Sequence, residues 1–321
     1  MAEVRQFFKR VGREMPDASR REAMLPDDSS VLANPVGVAP GVVTVDGDVT
    51  YILLPGPPGE MKGMFTQSVV PYLHKRFGSQ GVVTSYRYGV YNIREIDLEE
   101  RVMDLIKQQS NPTIALLIKK GYIELRITAK AASLDEAHRL LDPWDEIIRR
   151  RLGTLIGRKL DISMEETLGN TLKESAATMA TAESCTSGLV GKLLTNVSGS
   201  SDYYMGGIIS YSNDVKHRVL GVPQDLLDTY GAVSEQVAKA MAEGAKRVCN
   251  TTYAVSTTGI AGPGGGTPDK PVGLVWFGVT GPRGTVAHKA NLIGNREDIR
   301  QSAAELALYY VNLYIQEKGD K

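Results

Sequence analysis

The chain has 321 residues, and its 37 basic side chains are balanced by 37 acidic ones. A net charge of zero without a long basic run argues against a protein that binds nucleic acid or a membrane surface, because both attract basic patches. Two cysteines, Cys185 and Cys249, are too few for a disulfide framework and fit a reducing compartment. Since the N-terminal residues also lack the apolar core of a signal peptide, we expect a cytoplasmic protein.

Residues 1–80 and 81–160 predict two different small folds. In the first segment, GVVTVDG and VTYILLPG are strand-like pieces separated by turns, which is typical of part of a layered α/β domain. The second segment predicts a βαββα order and therefore a small α+β linking module. Its last helix is expected to begin at a capping box formed by Ser133 and Glu136.

Residues 161–321 alternate strands and helices, which predicts a three-layer α/β domain with its loops gathered at one end of the sheet. Polar motifs accompany the predicted strands of this domain: TAESCTSG, GSS, SYSNDVK and STTGIAGPGGGTPDKPVG. Open α/β sheets bind their ligands at strand ends. Hydroxyl groups, one lysine and flexible glycine backbone can supply a nucleophile, a base and contacts to an anionic substrate, so the composition indicates a metal-free hydrolase.

These motifs, in this order, resemble the C-terminal domain of the competence/damage-inducible protein (CinA) family, from about Ser163 to the end of the chain. The resemblance implies a nicotinamide mononucleotide deamidase that converts nicotinamide mononucleotide and water into nicotinate mononucleotide and ammonia. It implies a Ser/Lys mechanism with no cofactor. We also expect the protein to be a homodimer. Its expected binding partner is this small-molecule substrate, and we expect it to bind neither nucleic acid nor a membrane.

The segments NPVGVAPG and LPGPPGEM resemble the closing part of that family's N-terminal molybdopterin-binding-like domain, and residues 81–160 resemble its middle domain. No glycine-rich phosphate-binding stretch precedes Arg20, so we expect residues 1–80 to be a partial domain in which Asn34, Gly56 and Glu60 are structural. Two alternatives stay open. One is ADP-ribose pyrophosphatase activity, and the other is a nucleotide- or pterin-binding module without turnover.

Ser184 is the first candidate for the nucleophile. It follows a predicted strand and precedes a helix expected to begin at Cys185, so its hydroxyl and the amides of Cys185 and Thr186 would point into one space. The alternative is that Ser184 is simply a helix N-cap. Ser201 is the competing nucleophile, with a turn-forming role as its alternative.

Lys216 is the candidate base. Its ordinary pKa of about 10.4 must be lowered for it to act near pH 7. If Asn213 is the helix N-cap, Lys216 lies in the first turn, where the helix dipole disfavours an ammonium group. The alternative is a solvated surface lysine. Tyr211 is expected to relay a proton or stack on the nicotinamide ring, with packing in the core as its alternative.

The glycine-rich loop is the candidate for binding the substrate. Backbone amides of Gly259, Gly262 and Gly264 can approach an anion closely, although such a loop is also compatible with a long turn. Thr258 precedes the loop and is expected to hydrogen-bond the ribose or the carboxamide. Arg296, at the start of the last predicted helix, is a candidate phosphate clamp. Its alternative is an ion pair with Glu297 or Asp298.

Metal ligands are not predicted. The four histidines are scattered through the chain without the spacing of a zinc site. The resulting prediction is a deamidase without a metal ion.

Overall fold

A computed structural model describes residues 2–34, 37–78 and 81–317. Its contacts divide the chain into two compact units, Met1–Val82 and Val83–Lys321. Within the described residues, no helix is long and apolar enough to cross a bilayer.

The smaller unit contains an antiparallel sheet in the strand order β1-β2-β3. Its regular elements are α1 (Ala2–Arg10), β1 (Ser30–Leu32), β2 (Gly41–Asp46), β3 (Val49–Leu53), α2 (Pro58–Met64) and α3 (Val70–Phe77). A small core forms between the sheet and the helices, from Leu32, Val43, Met64 and Val69. Asn34 donates to Oε2 of Glu60 at 2.7 Å and accepts from the amide of Gly37 at 2.8 Å. These two polar side chains therefore hold the turn before β2.

The larger unit begins with an α+β module. Its elements are β4 (Val82–Val90), α4 (Glu95–Gln108), β5 (Thr113–Ile118), β6 (Ile123–Ala131), α5 (Leu134–Leu152) and β7 (Ile156–Lys159). The predicted βαββα order is confirmed, and β7 is an addition that pairs antiparallel with β4. Ser133 caps α5 by accepting from the amide of Glu136 at 3.2 Å. Glu136 returns a bond to Ala132 rather than to Ser133, so the predicted capping box is only half formed.

The rest of this unit is built on a sheet in the order β12-β11-β10-β8-β9. Its elements are α6 (Met164–Glu174), β8 (Met179–Glu183), α7 (Leu189–Thr195), β9 (Tyr204–Ile209), α8 (Asn213–Arg218), α9 (Gln224–Tyr230), α10 (Glu235–Cys249), β10 (Tyr253–Gly259), β11 (Leu274–Gly281), β12 (Gly284–Asn291) and α11 (Arg296–Gln316). Helix α10 packs on one face of the sheet, and α6, α7 and α11 lie together on the other. This is the predicted three-layer α/β fold.

Strand direction decides where a site can form. Strand β8 pairs in parallel with both β9 and β10, so Glu183, Ile209 and Gly259 end their strands at the same edge of the sheet. Three chain segments far apart in sequence therefore turn away from the sheet side by side. Their loops meet at this edge.

Helix α11 is buried on more than one side because it packs against both the sheet and the preceding module. Tyr309 stacks on Tyr91 of the module with ring centroids 4.5 Å apart. Glu305 accepts from Tyr91 at 2.8 Å and pairs with Arg158 at 2.9 Å. These buried contacts join the module and the sheet domain into one compact unit.

Candidate active site

The turn after β8 carries Ser184. The amide of Ser184 donates to the carbonyl of Thr257 on the neighbouring β10 at 2.9 Å, which fixes the residue at the sheet edge. Helix α7 begins at Leu189, with Gly188 as its N-cap at a φ of 95°. The expected helix start at Cys185 is therefore wrong, and so is the alternative that Ser184 is the N-cap.

Glu183 explains why the turn is longer than expected. Its buried carboxylate accepts from the hydroxyl of Thr186 at 2.7 Å and from the amides of Gly188, Val190 and Gly191 at 2.8, 3.1 and 2.8 Å. A carboxylate at this position accepts hydrogen bonds from the free amides of the helix start, and the positive end of the helix dipole stabilises its charge. The chain therefore wraps around Glu183 before α7 begins. Sequence reasoning missed Glu183, although an acidic residue at the end of a buried apolar strand was a usable signal.

Lys216 lies in α8 with only 1% of its surface exposed. Its Nζ donates to Oγ of Ser184 at 3.1 Å and to the carbonyls of Ser210 and Tyr211 at 2.8 and 3.2 Å. All three acceptors are uncharged oxygens. The alternative of a solvated surface lysine is therefore wrong.

The pKa of Lys216 is lowered to about 8 because burial penalises its charged form. The N-cap of α8 is Ser212, whose Oγ accepts from the amide of Val215 at 3.2 Å, and not Asn213 as expected. The predicted direction of the pKa shift is thus found, but its main cause is desolvation rather than the helix dipole.

The three acceptors around Nζ fit both protonation states. An ammonium group donates one hydrogen to each of them. A neutral amine donates to the two carbonyls and leaves its lone pair directed at the hydroxyl of Ser184. Because carbonyls cannot donate, they orient the amine in this way, and Lys216 can accept the serine proton.

A cavity of about 190 Å³ opens beside this pair. Most of the residues predicted from sequence are brought together in its wall, along with some that were not predicted. The lining residues are Ser184, Cys185, Tyr211, Asn213, Lys216, Ala232, Val233, Thr258, Gly259, Ala261 and Arg296. Sequence reasoning missed four of these lining residues: Asn213, Ala232, Val233 and Ala261. The last three are small apolar residues in loops, which carry little signal in a single sequence.

Several lining residues differ in detail from expectation. Tyr211 is 64% exposed, so its core-packing alternative is wrong. Thr258 is buried and donates through Oγ1 to the carbonyl of Ala232 at 2.7 Å, which ties β10 to the loop before α10. Burial raises the pKa of the Cys185 thiol to about 12, so this group stays protonated near neutral pH.

Arg296 is exposed at the rim of the cavity. Its Nη1 donates to the carbonyl of Gly262 at 2.7 Å, and not to Glu297 or Asp298 as the alternative held. Gly262 thus contributes its carbonyl to an arginine, whereas its amide was expected to contact an anion. Gly264 lies in the exposed part of the loop, outside the cavity wall.

Besides Gly262 and Gly264, two further predicted residues lie outside the cavity wall. Ser201 is exposed in a short 3-10 turn, Ser200–Asp202, which precedes β9. It therefore lies at the opposite edge of the sheet from the loops after β8 and β9. The side chain of Thr186 is fully buried between Glu183 and Thr257, 2.7 Å from an oxygen of each, and supports the turn from inside.

Arg300 is a neighbour of the site that sequence reasoning missed. Its Nε donates to the carbonyl of Cys185 and its Nη2 to that of Thr186, both at 3.1 Å. Its spacing of four residues from Arg296 on a helix was the available signal. Over the described ranges, no group of three or more His, Cys, Asp or Glu side chains is arranged to hold a metal ion.

Comparison with known families and proteins agrees with the architecture. The model of the CinA C-terminal domain matches residues 161–315, and that of the damage-inducible protein CinA KH domain matches residues 87–156. A putative competence-damage inducible protein of Clostridium novyi is 39% identical over 318 residues, which cover 99% of this chain and 76% of that protein. The chain belongs to the CinA family.

Other members of the CinA family give similar values. A CinA-like protein of Dictyoglomus turgidum is 44% identical over 298 residues, covering 92% of this chain and 72% of that protein. Among solved structures, a competence/damage inducible protein from Agrobacterium tumefaciens is 38% identical, with a TM-score of 0.45. The match covers 46% of this chain and 91% of that one. The two family models and the two relatives confirm the resemblance to the CinA family stated from the sequence motifs.

Proposed function

We propose that this chain is a nicotinamide mononucleotide amidohydrolase, which converts nicotinamide mononucleotide and water into nicotinate mononucleotide and ammonia. The single observation that carries the proposal is the hydrogen bond from Lys216 to Ser184 at 3.1 Å in the wall of a cavity. A buried lysine with lowered pKa, next to a serine hydroxyl, is a nucleophile and base of the kind that hydrolyses amides. The substrate follows from the likeness to the family.

The first half of the reaction forms an ester. Neutral Lys216 takes the proton of the Ser184 hydroxyl while Oγ attacks the carboxamide carbon. The negative charge that develops on the carboxamide oxygen meets the amides of Cys185 and Thr186, as donors to an oxyanion. Lys216 then returns its proton to the departing nitrogen, the C–N bond breaks, and ammonia leaves.

The second half consumes water. Neutral Lys216 takes a proton from a water molecule, which attacks the ester carbon and breaks its bond to Oγ of Ser184. The alkoxide recovers a proton from Lys216, and nicotinate mononucleotide is released. In each half, Lys216 accepts one proton and returns it, so atoms and charges balance without a further reagent.

The cavity offers chemically different walls to the two ends of this substrate. Lys216 and Ser184 lie at its polar, buried part, whereas Arg296 is exposed and carries a guanidinium that can pair with a phosphate. Tyr211 presents an exposed aromatic ring beside them, suitable for stacking on a pyridinium ring. This arrangement supports a substrate with an amide at one end and a phosphate at the other.

Ammonia release tests the proposal directly. The chain is incubated with nicotinamide mononucleotide, ammonia is followed by a coupled glutamate dehydrogenase assay, and nicotinate mononucleotide is identified by chromatography. Ser184→Ala is expected to abolish turnover, while Ser201→Ala serves as the matched control because it removes an exposed hydroxyl at the far edge of the sheet. Absence of ammonia with the unsubstituted chain would refute the proposal.

A further inference from the structure

Arg300 holds two successive carbonyls of the turn that follows Ser184. Its guanidinium donates to the carbonyl oxygens of Cys185 and Thr186, both at 3.1 Å, and its Nη1 lies 3.4 Å from Oε2 of Glu297. The side chain is 23% exposed. A planar fork that donates to two neighbouring carbonyls fixes their direction more strictly than a single donor does.

Peptide geometry passes this constraint on to the amide of Thr186. The peptide bond between Cys185 and Thr186 is trans, so the carbonyl of Cys185 and the amide hydrogen of Thr186 point in opposite directions in one plane. With that carbonyl held by Arg300, the amide of Thr186 must point away from Arg300. Cys185 lines the cavity and Arg300 does not.

The amide of Thr186 is available to a ligand. In the part of the chain that the structure describes, it donates to no protein acceptor. Further along the chain, the amides of Gly188, Val190 and Gly191 are instead used by the carboxylate of Glu183. The turn is thus held by the Glu183 carboxylate at its end and by the Arg300 guanidinium at its start, and the amide of Thr186 is left over between them.

Helix α11 gives Arg300 a rigid base. Asn295 caps the helix by accepting from the amides of Glu297 and Asp298 at 2.9 and 3.0 Å. Further along, Glu305 pairs with Arg158 at 2.9 Å in the interface with the preceding module. The helix that carries Arg300 is therefore held both before and after this residue in the chain.

We propose that Arg300 is a positioning residue for the oxyanion site. It holds the peptide unit between Cys185 and Thr186 so that the amide of Thr186 meets the charge that develops on the carboxamide oxygen. Arg300 itself touches neither the substrate nor the reacting atoms. This inference rests on the proposed role of Ser184 as the nucleophile.

The test compares Arg300→Ala, Arg300→Lys and Arg283→Ala. Arg283 is the matched control because its guanidinium also donates to a carbonyl of α11, that of Tyr314, at the end of the helix far from the site. For Arg300→Ala we expect kcat to fall about 10- to 100-fold, because misplaced groups cost rates of this order, with KM within about threefold. The kcat of Arg300→Lys should lie between that of Arg300→Ala and that of the unsubstituted chain, because lysine keeps the charge but cannot form the fork. Arg283→Ala should keep kcat.

Chemical rescue separates positioning from general damage. Added guanidinium, at millimolar concentrations that leave the thermal transition unchanged, should raise kcat of Arg300→Ala severalfold and leave Ser184→Ala inactive. A kcat of Arg300→Ala within threefold of the unsubstituted chain would overturn the inference. So would a loss confined to KM, or a lost kcat in a variant with normal thermal stability that guanidinium does not restore.

A second measurement needs no deamidase activity. A fluorophosphonate probe labels an activated serine, and mass spectrometry reports the rate at Ser184. The labelling rate should fall in Arg300→Ala but not in Arg283→Ala, because the phosphonyl oxygen needs the same amide of Thr186. If the unsubstituted chain is labelled but releases no ammonia from nicotinamide mononucleotide, the proposed function fails while the labelling rates still decide the role of Arg300. Equal labelling rates in all three chains contradict that role alone, and no labelling or turnover in the unsubstituted chain contradicts both.

Discussion

Lys216 places its Nζ 3.1 Å from Oγ of Ser184, although 32 residues separate the two in the chain. The remaining two acceptors of the same nitrogen are backbone carbonyls, which are fixed by the fold and cannot rotate away. A flexible side chain is therefore held in one direction by groups that take no part in the chemistry. This geometry makes the pair testable by several independent measurements.

The pH dependence should report the pKa of Lys216. Since burial lowers this pKa to about 8 and the base must be neutral, kcat/KM is expected to rise with pH through about 8 and then level off. The profile is measured above pH 7, because the substrate phosphate titrates near pH 6. Tyr211→Phe should keep the same inflection. A flat profile between pH 7 and about 9.5 would contradict a lysine base with this pKa.

Substitutions of the pair should be non-additive. Ser184→Ala and Lys216→Ala are each expected to lower kcat by about 10³-fold or more, and the double variant should be little worse than either, because nucleophile and base act as one unit. Lys216→Arg should fail as well, since arginine stays protonated. Single-turnover and steady-state assays of ammonia release check this. Multiplicative losses in the double variant would mean that the two residues act separately.

Removing the charge of Lys216 should stabilise the fold while it abolishes activity. At pH 7 the folded protein holds a buried ammonium group whose acceptors are uncharged, and a methionine of similar length avoids this cost. Lys216→Met is expected to raise Tm by a few degrees. Exposed Lys192→Met is the control and should leave Tm nearly unchanged.

The pH sign gives this prediction a second check. Because the folded-state pKa of Lys216 lies below its ordinary value, the cost of burying it is fully present below about pH 8 and is relieved as the pH rises from 8 toward the unfolded value. The difference in Tm between Lys216→Met and the unsubstituted chain should therefore shrink between pH 7 and pH 10. A difference that grows over this range would contradict the assignment.

Arg296 should act on binding rather than on the chemical step. It lies at the cavity rim and is expected to hold the substrate phosphate equally in the ground and transition states. Arg296→Ala should raise KM about 10-fold or more with kcat within threefold. The substrate without its phosphate, nicotinamide riboside, should be turned over equally poorly by both chains. A variant that loses kcat at unchanged KM would assign Arg296 to catalysis.

Strand ends and periodicity were predictable from the sequence, and so was much of the site. Ser184, Tyr211 and Thr258 follow or end apolar strands, and parallel strands bring such positions to one edge. Ser201 was misplaced because it precedes β9, whereas the other candidates follow or end their strands and so lie at the opposite edge. The start of α7 was misjudged because Glu183 satisfies amides through space, which local capping rules do not include.

The role of Arg300 lies beyond single-sequence reasoning for a related reason. Its contact with Cys185 joins residues 115 positions apart, and helical spacing alone gives no sign of which arginine faces the cavity and which faces the backbone. The lowered pKa of Lys216 was predicted in direction from a helix start. The cause of the shift is burial, which depends on how several elements pack around the lysine. The sequence gives the order of these elements but not which of them contact each other.

Helix α11 follows every strand of the five-stranded sheet in the chain, yet it closes that sheet's core and contacts the module made long before it. Tyr310, for example, donates to Asn92, which lies 218 residues earlier. At ribosomal speeds of about 5 to 20 residues per second, Asn92 waits roughly 10 to 40 s for this partner. During synthesis the aromatic surface around Tyr91 therefore stays open to solvent and to chaperones until the helix that carries Arg296 and Arg300 has emerged. Closure of the core of the five-stranded sheet and completion of the candidate active site thus coincide in time.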